Sequence, residues 1–280
     1  ILAMIAFAGN SLLARLALAD GAIDAAGFTA LRLVSGAAVL AVIVFAMLFA
    51  GFVKGATGLG YSTSCLPILA LSLGLKASLP LVLAPSLASN VTVMLGAGPM
   101  APAIRRFWPM LVVAPVGVLA GAALLGRVDG DMAGAALGCA LVAWCAFAYA
   151  TPHWRLRPEL ERPLAPGVGL VTGVINGLTG SQVLPITPFL MSLEMPRGTF
   201  LHTLNLSFTL STLAMGAALT RLGIMTVETA TISLCGIVLS VAGVRSGAAL
   251  RRRLPEKTFR AGVLAVLSLA GAALIVRGLG

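Results

Sequence analysis

The chain is built from long stretches in which charge is almost absent, and this property leaves it very few folds. Runs at 107–126, 132–150, 199–219, 226–249 and 261–276 contain almost no ionisable side chains. Each approaches the ~20 residues needed to cross a hydrocarbon core of about 30 Å. Of 280 residues, 59% are hydrophobic and 10% charged, with a mean hydropathy of +1.03. A water-soluble domain carries roughly 25% charged residues, so this chain lacks the polar surface to cover itself in water. The expectation is an all-α, polytopic membrane protein.

The net charge of +10 does not point to nucleic acid. The basic residues sit in short loops beside the spans, where they mark topology and meet anionic lipid. Cys65, Cys139, Cys145 and Cys235 lie inside apolar runs without metal-ligand spacing, which reads as buried small hydrophobes. The first apolar stretch has no basic n-region and no A-x-A-like site, so no secretory signal is expected.

One apolar stretch breaks the pattern. Residues 170–191, "LVTGVINGLTGSQVLPITPFLM", hold Gly173, Asn176, Gly177, Thr179, Gly180, Ser181, Gln182 and Pro185. Irregular backbone is tolerated at membrane depth only where it is buried in protein or lines a wet cavity. The stretch has an earlier partner, "FVKGATGLGYSTSCLPILAL" at 52–71. Setting Pro67 against Pro185 places Gly55 on Gly173 and Leu66 on Leu184. A second match follows in the same order: "GVLAGAALLGRV" at 117–128 against "GVRSGAALRRRL" at 243–254.

Basic loops orient these copies. Arg105 and Arg106, then Arg155, Arg157 and Arg162, then Arg251, Arg252, Arg253, Lys257 and Arg260 mark the inner side. These loops share a side only if 164–193 crosses an even number of times, as a broken hairpin does. The reading is therefore two inverted-topology repeats containing broken helical hairpins. Residues 1–45 form an atypical N-terminal helical segment, in which 1–18 is one helix and Asp20 and Asp24 lie in an external loop. Residues 46–150 form the first repeat, 151–163 a basic cytoplasmic linker and 164–280 the second repeat.

Inverted repeats with discontinuous helices are an architecture of secondary transporters, with the site where the breaks meet near the midplane. The candidate substrate-binding residues follow. Lys54 would offset an anion's charge, the alternative being a side chain snorkelling to the interface. Thr57, Ser62 and Thr63 from the first break, and Asn176, Thr179, Ser181 and Gln182 from the second, would donate hydrogen bonds. Gly58, Gly60, Gly177 and Gly180 would let backbone N–H groups approach the ligand, unless they serve only close helix packing. Asn90 and Asn205 lie within the spans after each hairpin, where they bond either the ligand or a neighbouring helix. His202 reads as an interfacial side chain, and Trp108 and Trp154 as interface anchors. All nine acidic residues fall in or near loops, which disfavours a carboxylate proton relay.

These residues resemble a known family. "GFVKGATGLGYSTSCLPILAL", "RRFWP", "NGLTGSQVLPITPFLM" and "NLSFTLSTL" are similar to the TauE/SafE sulfite exporters of bacterial inner membranes, from roughly Val44 to the C-terminus. The resemblance implies export or exchange of small sulfur-containing anions such as sulfite, sulfoacetate and other organosulfonates. Residues 6–43, "AFAGNSLLARLALADGAIDAAGFTALRLVSGAAVLAVI", resemble instead the start of an EamA-type drug/metabolite transporter. That fold needs many more spans than this piece supplies, so its function is not carried over.

An enzyme is disfavoured: His153 and His202, the only histidines, fit no H-E-x-x-H set, and "GLTGS" does not match G-x-S-x-G. No cofactor and no metal are expected. The partners expected are a small anionic substrate and membrane lipids, with a homodimer left open. A passive anion channel, or a permease for another small organic anion or metabolite, remains the alternative to a carrier.

Overall fold

The computed structural model describes residues 25–58, 60–150, 155–250 and 256–279. Among these residues there is no strand, and the helices in chain order are α1 (Ala25–Thr57), α2 (Tyr61–Leu73), α3 (Leu75–Leu95), α4 (Ala101–Leu125), α5 (Gly130–Ala150), α6 (Pro158–Thr179), α7 (Ile186–Met191), α8 (Arg197–Arg221), α9 (Val227–Leu250) and α10 (Glu256–Leu279). The chain divides into two units, 1–45 and 46–280. In the first, α1 exposes Leu33, Val34 and Leu40. The second holds the last turns of α1 and every later helix. The expected helix over 1–18, Asp20, Asp24, His153, Trp154 and the basic run Arg251, Arg252 and Arg253 lie outside the described residues, as do the side chains of Lys257 and Arg260.

Among the described residues, five helices are long and apolar enough to cross a membrane: Arg32–Thr57, Leu75–Leu95, Ala101–Leu125, Gly130–Ala150 and Val227–Leu250. The protein is a polytopic α-helical membrane protein. Helix α8, expected as a span over 199–219, has the length but falls outside this apolar set. The reason is its polar content. Thr199, His202, Thr203, Asn205, Ser207, Ser211 and Thr212 are all buried, because α8 packs against α3 and α4 and is sheltered from lipid.

Glycine ladders set the tightest helix pairs. A Cβ on Gly117 would lie 2.3 Å from Leu170 O, one on Gly121 2.1 Å from Val174 O, and one on Gly177 2.2 Å from Val118 O, so α4 and α6 touch backbone to backbone. The same device joins α1 to α9: a Cβ on Gly55 would lie 2.1 Å from Val244 O, and one on Gly247 2.0 Å from Phe52 O. Lipid tails are as apolar as leucine, so close van der Waals approach between small residues is what holds such pairs. Pro80 and Pro85 interrupt α3, and serines of α9 serve the disturbed turn. Ser233 Oγ accepts from Ala84 N at 3.0 Å, and Ser240 Oγ donates to Pro85 O at 2.8 Å.

The second hairpin returns to the side it starts from, and the two hairpins end at opposite ends of α4. In the second, Leu156 N donates to Ser192 O at 3.0 Å, Arg106 Nη1 donates to Glu194 O at 3.3 Å, and Arg155 pairs with Glu194. In the first, Lys76 Nζ beyond the turn at Gly74 donates to Val128 O at 2.7 Å, just past the end of α4. Arg277 Nη1 donates to Leu71 O at 2.8 Å on that same side. Helix α7 has 6 residues, about 9 Å of helix, so the second hairpin dips in and returns.

Several residues expected in loops are helical. Arg105 and Arg106 stand in the second turn of α4, and Glu159, Glu161 and Arg162 in the first turns of α6. Arg106 holds Glu161 with two bonds, Nε to Oε1 at 2.6 Å and Nη2 to Oε2 at 2.7 Å. Because this pair is partly solvated, Glu161→Gln is expected to lower stability by no more than about 1 kcal/mol, read by thermal unfolding in detergent. The cysteines divide: Cys65 and Cys145 are buried as expected, whereas Cys139 and Cys235 are exposed on helices α5 and α9.

Candidate functional site

The two breaks end their helices with the same local chemistry. At the end of α1, Gly58 adopts φ 83° and its N–H donates to Lys54 O at 2.6 Å. At the end of α6, Gly180 adopts φ 74° and its N–H donates to Asn176 O at 2.7 Å. Thr57 Oγ1 bonds Val53 O at 2.8 Å, and Thr179 Oγ1 bonds Ile175 O at 2.7 Å. A left-handed glycine that closes the last turn is a common helix stop. "VKGATG" at 53–58 therefore corresponds to "INGLTG" at 175–180.

This register differs from the one read from the prolines. Gly55 corresponds to Gly177, not Gly173, while Leu66-Pro67 still corresponds to Leu184-Pro185. Both hold because the first break is one helical turn longer. That extra turn opens α2 at Tyr61, N-capped by Gly60, whereas α7 begins only at Ile186. A proline match alone hides an insertion of one turn.

The breaks sit at different heights along the bundle. A Cβ on Gly58 would meet Leu201 of α8 at 2.7 Å, and one on Gly180 would meet Leu66 of α2 at 2.4 Å and Leu79 of α3 at 2.5 Å. Leu201 and Leu79 lie one turn into their helices. The breaks thus do not meet backbone to backbone; polar side chains beside them converge instead.

Lys54 is the centre of that convergence. It is only 1% exposed, its Nζ donates to Asn90 Oδ1 on α3, and it lies 5.8 Å from the ring centroid of Phe208 on α8. The aromatic face favours a cation. Ion pairs join Arg106 to Glu161, Arg155 to Glu194 and Arg277 to Asp131, whereas Lys54 has no carboxylate partner among the described residues. The buried location contradicts snorkelling.

From the second break, Gln182 Nε2 donates to Thr212 Oγ1 on α8 at 3.0 Å. Asn90 in α3 and Thr212 in α8 hold the same position counted from their helix starts, so each break sends one polar side chain to the same place on the helix after it. Leu201, Asn205, Phe208 and Thr212 recur at helical spacing and form one stripe of α8. Along it the contacts run Gly58, Lys54 and Gln182, and Asn205 falls between the first two. Asn205 Nδ2 donates to Leu201 O at 2.8 Å, which leaves its Oδ1 buried without a partner, as are Asn90 Nδ2 and Asn176 Nδ2.

The chain matches the family "Sulfite exporter TauE/SafE" over residues 42–274. It belongs to the TauE/SafE family. It is accordingly a multi-pass membrane protein of a family described as sulfite exporters. A stretch of 44 residues is 70% identical to an uncharacterized protein of Pseudomonas aeruginosa, covering 16% of this chain and 15% of that protein. No solved structure matches the chain.

Other expected site residues of this TauE/SafE chain serve the breaks themselves. The amides of Gly58 and Gly180 are used in closing their helices, and Gly177 is a rung of the α4–α6 ladder. They therefore do not offer N–H groups to a ligand. Thr57 and Thr179 bond their own helices, and Ser181 N donates to Thr179 Oγ1 at 3.1 Å. Ser62 Oγ of α2 bonds Ser86 Oγ of α3 at 3.3 Å, beside the buried Thr63. His202, expected at the interface, is buried, with Nε2 3.0 Å from Gly98 O of the α3–α4 turn. Phe208 and Thr212 were not foreseen. Their signal was present in the sequence: with Asn205 they form an i, i+3, i+7 stripe on a helix where His202, Thr203, Ser207 and Ser211 are also buried.

Proposed function

We propose that this permease exports small sulfur-containing anions, such as sulfite, sulfoacetate or related organosulfonates, across the inner membrane of a bacterium by alternating access. Lys54 carries the reading. A charge is buried at a cost of several kcal/mol unless it is paired, and this ammonium has an amide oxygen and an aromatic face but no carboxylate. An anionic substrate supplies the missing charge.

The two hairpins, ending at opposite ends of α4 and capped alike, support inverted repeats of the kind that alternate access about a shared site. The described carboxylates Asp129, Asp131, Glu159, Glu161, Glu194 and Glu228 lie in loops or first helical turns. That placement supports export without obligatory proton coupling. The membrane potential drives an anion outward by roughly 2.3 kcal/mol per charge per 100 mV. Basic residues at the starts of α4 and α6 meet anionic lipid on the inner face.

Counterflow tests the carrier reading. Proteoliposomes loaded with unlabelled sulfite should accumulate labelled sulfite transiently and saturably, with sulfoacetate competing. Flux that rises linearly with concentration and shows no counterflow would make the protein a channel. Gln182→Leu should slow counterflow by about tenfold, the worth of one buried hydrogen bond, while the folded yield is kept. Equal loss of flux and yield would return the second break to a purely structural role.

A further inference from the structure

We propose that the site selects monoanions that still carry one O–H or N–H donor: hydrogen sulfite over the sulfite dianion, and hydroxy- or amino-substituted alkanesulfonates over plain ones. The inference rests on the anion-carrier reading and narrows its substrate class. Two independent features of the site carry it.

The first is the charge count. Lys54 and Asn176 occupy the same position in the two breaks, each one turn before the glycine that ends its helix. One brings an ammonium and the other a neutral amide. Among the described lysines and arginines, Lys54 is the one that is buried. The site thus neutralises one negative charge. A dianion such as sulfate would leave a second charge uncompensated in a low-dielectric interior, where that is heavily penalised, and among the substrates proposed above this ranks the doubly charged sulfoacetate below singly charged sulfonates.

The second is an acceptor with no donor. Asn205 cannot turn its amide around, because Nδ2 is held by Leu201 O and a carbonyl can only accept. The flipped amide would set two acceptors face to face. Its Oδ1 therefore has an imposed direction, and it is buried without a partner. It lies on α8 between the contact to Gly58 and the contact to Lys54. A sulfate or an unsubstituted sulfonate presents acceptors alone and leaves this oxygen unmet, which is costly in a buried site. A substrate O–H or N–H satisfies it. Among the other unpartnered side-chain atoms, Asn90 Nδ2 and Asn176 Nδ2 are donors, suited to S–O oxygens. The site is complementary to an anion with several acceptors and one donor.

Binding of isethionate, propanesulfonate, sulfite and sulfate to the purified full chain in nanodiscs tests this. Isethionate and propanesulfonate have the same charge and nearly the same size, and differ by a hydroxyl in place of a methyl. Isethionate should bind about tenfold tighter or more, and sulfate should bind weakest. In Asn205→Leu the ratio of isethionate to propanesulfonate affinity should fall to about one. Equal binding of the two sulfonates to the wild type, or sulfate binding as tight as either, would overturn the proposal while leaving an anion site in place. A preference that persists in Asn205→Leu would overturn it as well. Absence of binding by every anion, sulfite included, would instead remove the carrier reading on which it rests.

Discussion

Lys54→Met lowers sulfite flux by at least about a hundredfold while the folded protein is recovered at equal or higher yield. The two effects have one cause. Methionine approximates the length and apolar stem of lysine, so the contacts with Phe208 survive. The charge that the substrate must meet is gone, and truncating one partner of a buried pair costs about 3–5 kcal/mol, more than a hundredfold in an equilibrium. Without substrate, the same change relieves the cost of burying an ammonium that has no carboxylate, so the empty protein gains. Asn90 Oδ1 loses its donor, which limits that gain. Flux and the fraction of monodisperse protein in detergent, measured on the same preparation, check both halves. A structural lysine would show the reverse, with yield falling and flux per folded molecule unchanged.

Gly177→Val prevents folding. The new Cβ would stand 2.2 Å from Val118 O and 2.6 Å from Ala122 N. Both are backbone atoms of α4, which cannot swing aside as a side-chain tip does. Helices α4 and α6 must then separate along their whole ladder, losing the fit of Gly117, Gly121, Gly169 and Gly173 as well. Overpacking one site costs about 1–3 kcal/mol, and opening the remaining rungs adds to it. Gly167→Ala on the same helix is the control, since nothing lies within 4 Å of its added Cβ. It is expected to hold or raise stability by up to about 1 kcal/mol, as alanine is the better helix former. Thermal unfolding of both variants in detergent checks the contrast, and comparable yields would show that the ladder does not hold the pair.

Much of the architecture was legible in the sequence because hydropathy acts locally. Uncharged runs mark α4, α5 and α9 within a few residues, and the glycines and polar residues at 173–182 mark a break where the helix in fact stops. Helix α8 was legible in length but not in placement, because its threonines and serines look the same whether they face lipid, water or protein. The glycines were ambiguous for a similar reason. Gly177 and Gly180 stand three residues apart, yet one is a rung against α4 and the other turns the chain at positive φ. Only the packing distinguishes them.

The site itself was legible in its charge and not in its contacts. Lys54, Asn90, Asn205 and Gln182 stand out as polar residues in apolar runs, so they are visible in one dimension. Their convergence depends on which face of α8 meets which break, and that is decided by the glycine ladders and the one-turn difference between the breaks. Phe208 belongs to the site for this reason alone. Its spacing from Asn205 puts Phe208 on the stripe, but only the packing places a cation over its ring.

The measurement that tests the central claim most directly is labelled sulfite uptake into proteoliposomes under imposed potassium diffusion potentials, with wild type and Lys54→Met side by side. An electrogenic carrier with one cation at its site should saturate with sulfite. Its initial rate should rise as the interior is made more positive, by no more than the roughly 2.3 kcal/mol per 100 mV available to one charge, and Lys54→Met should be nearly inactive at every potential. A wild-type rate that is the same at all potentials, or a Lys54→Met rate equal to wild type, would contradict the account.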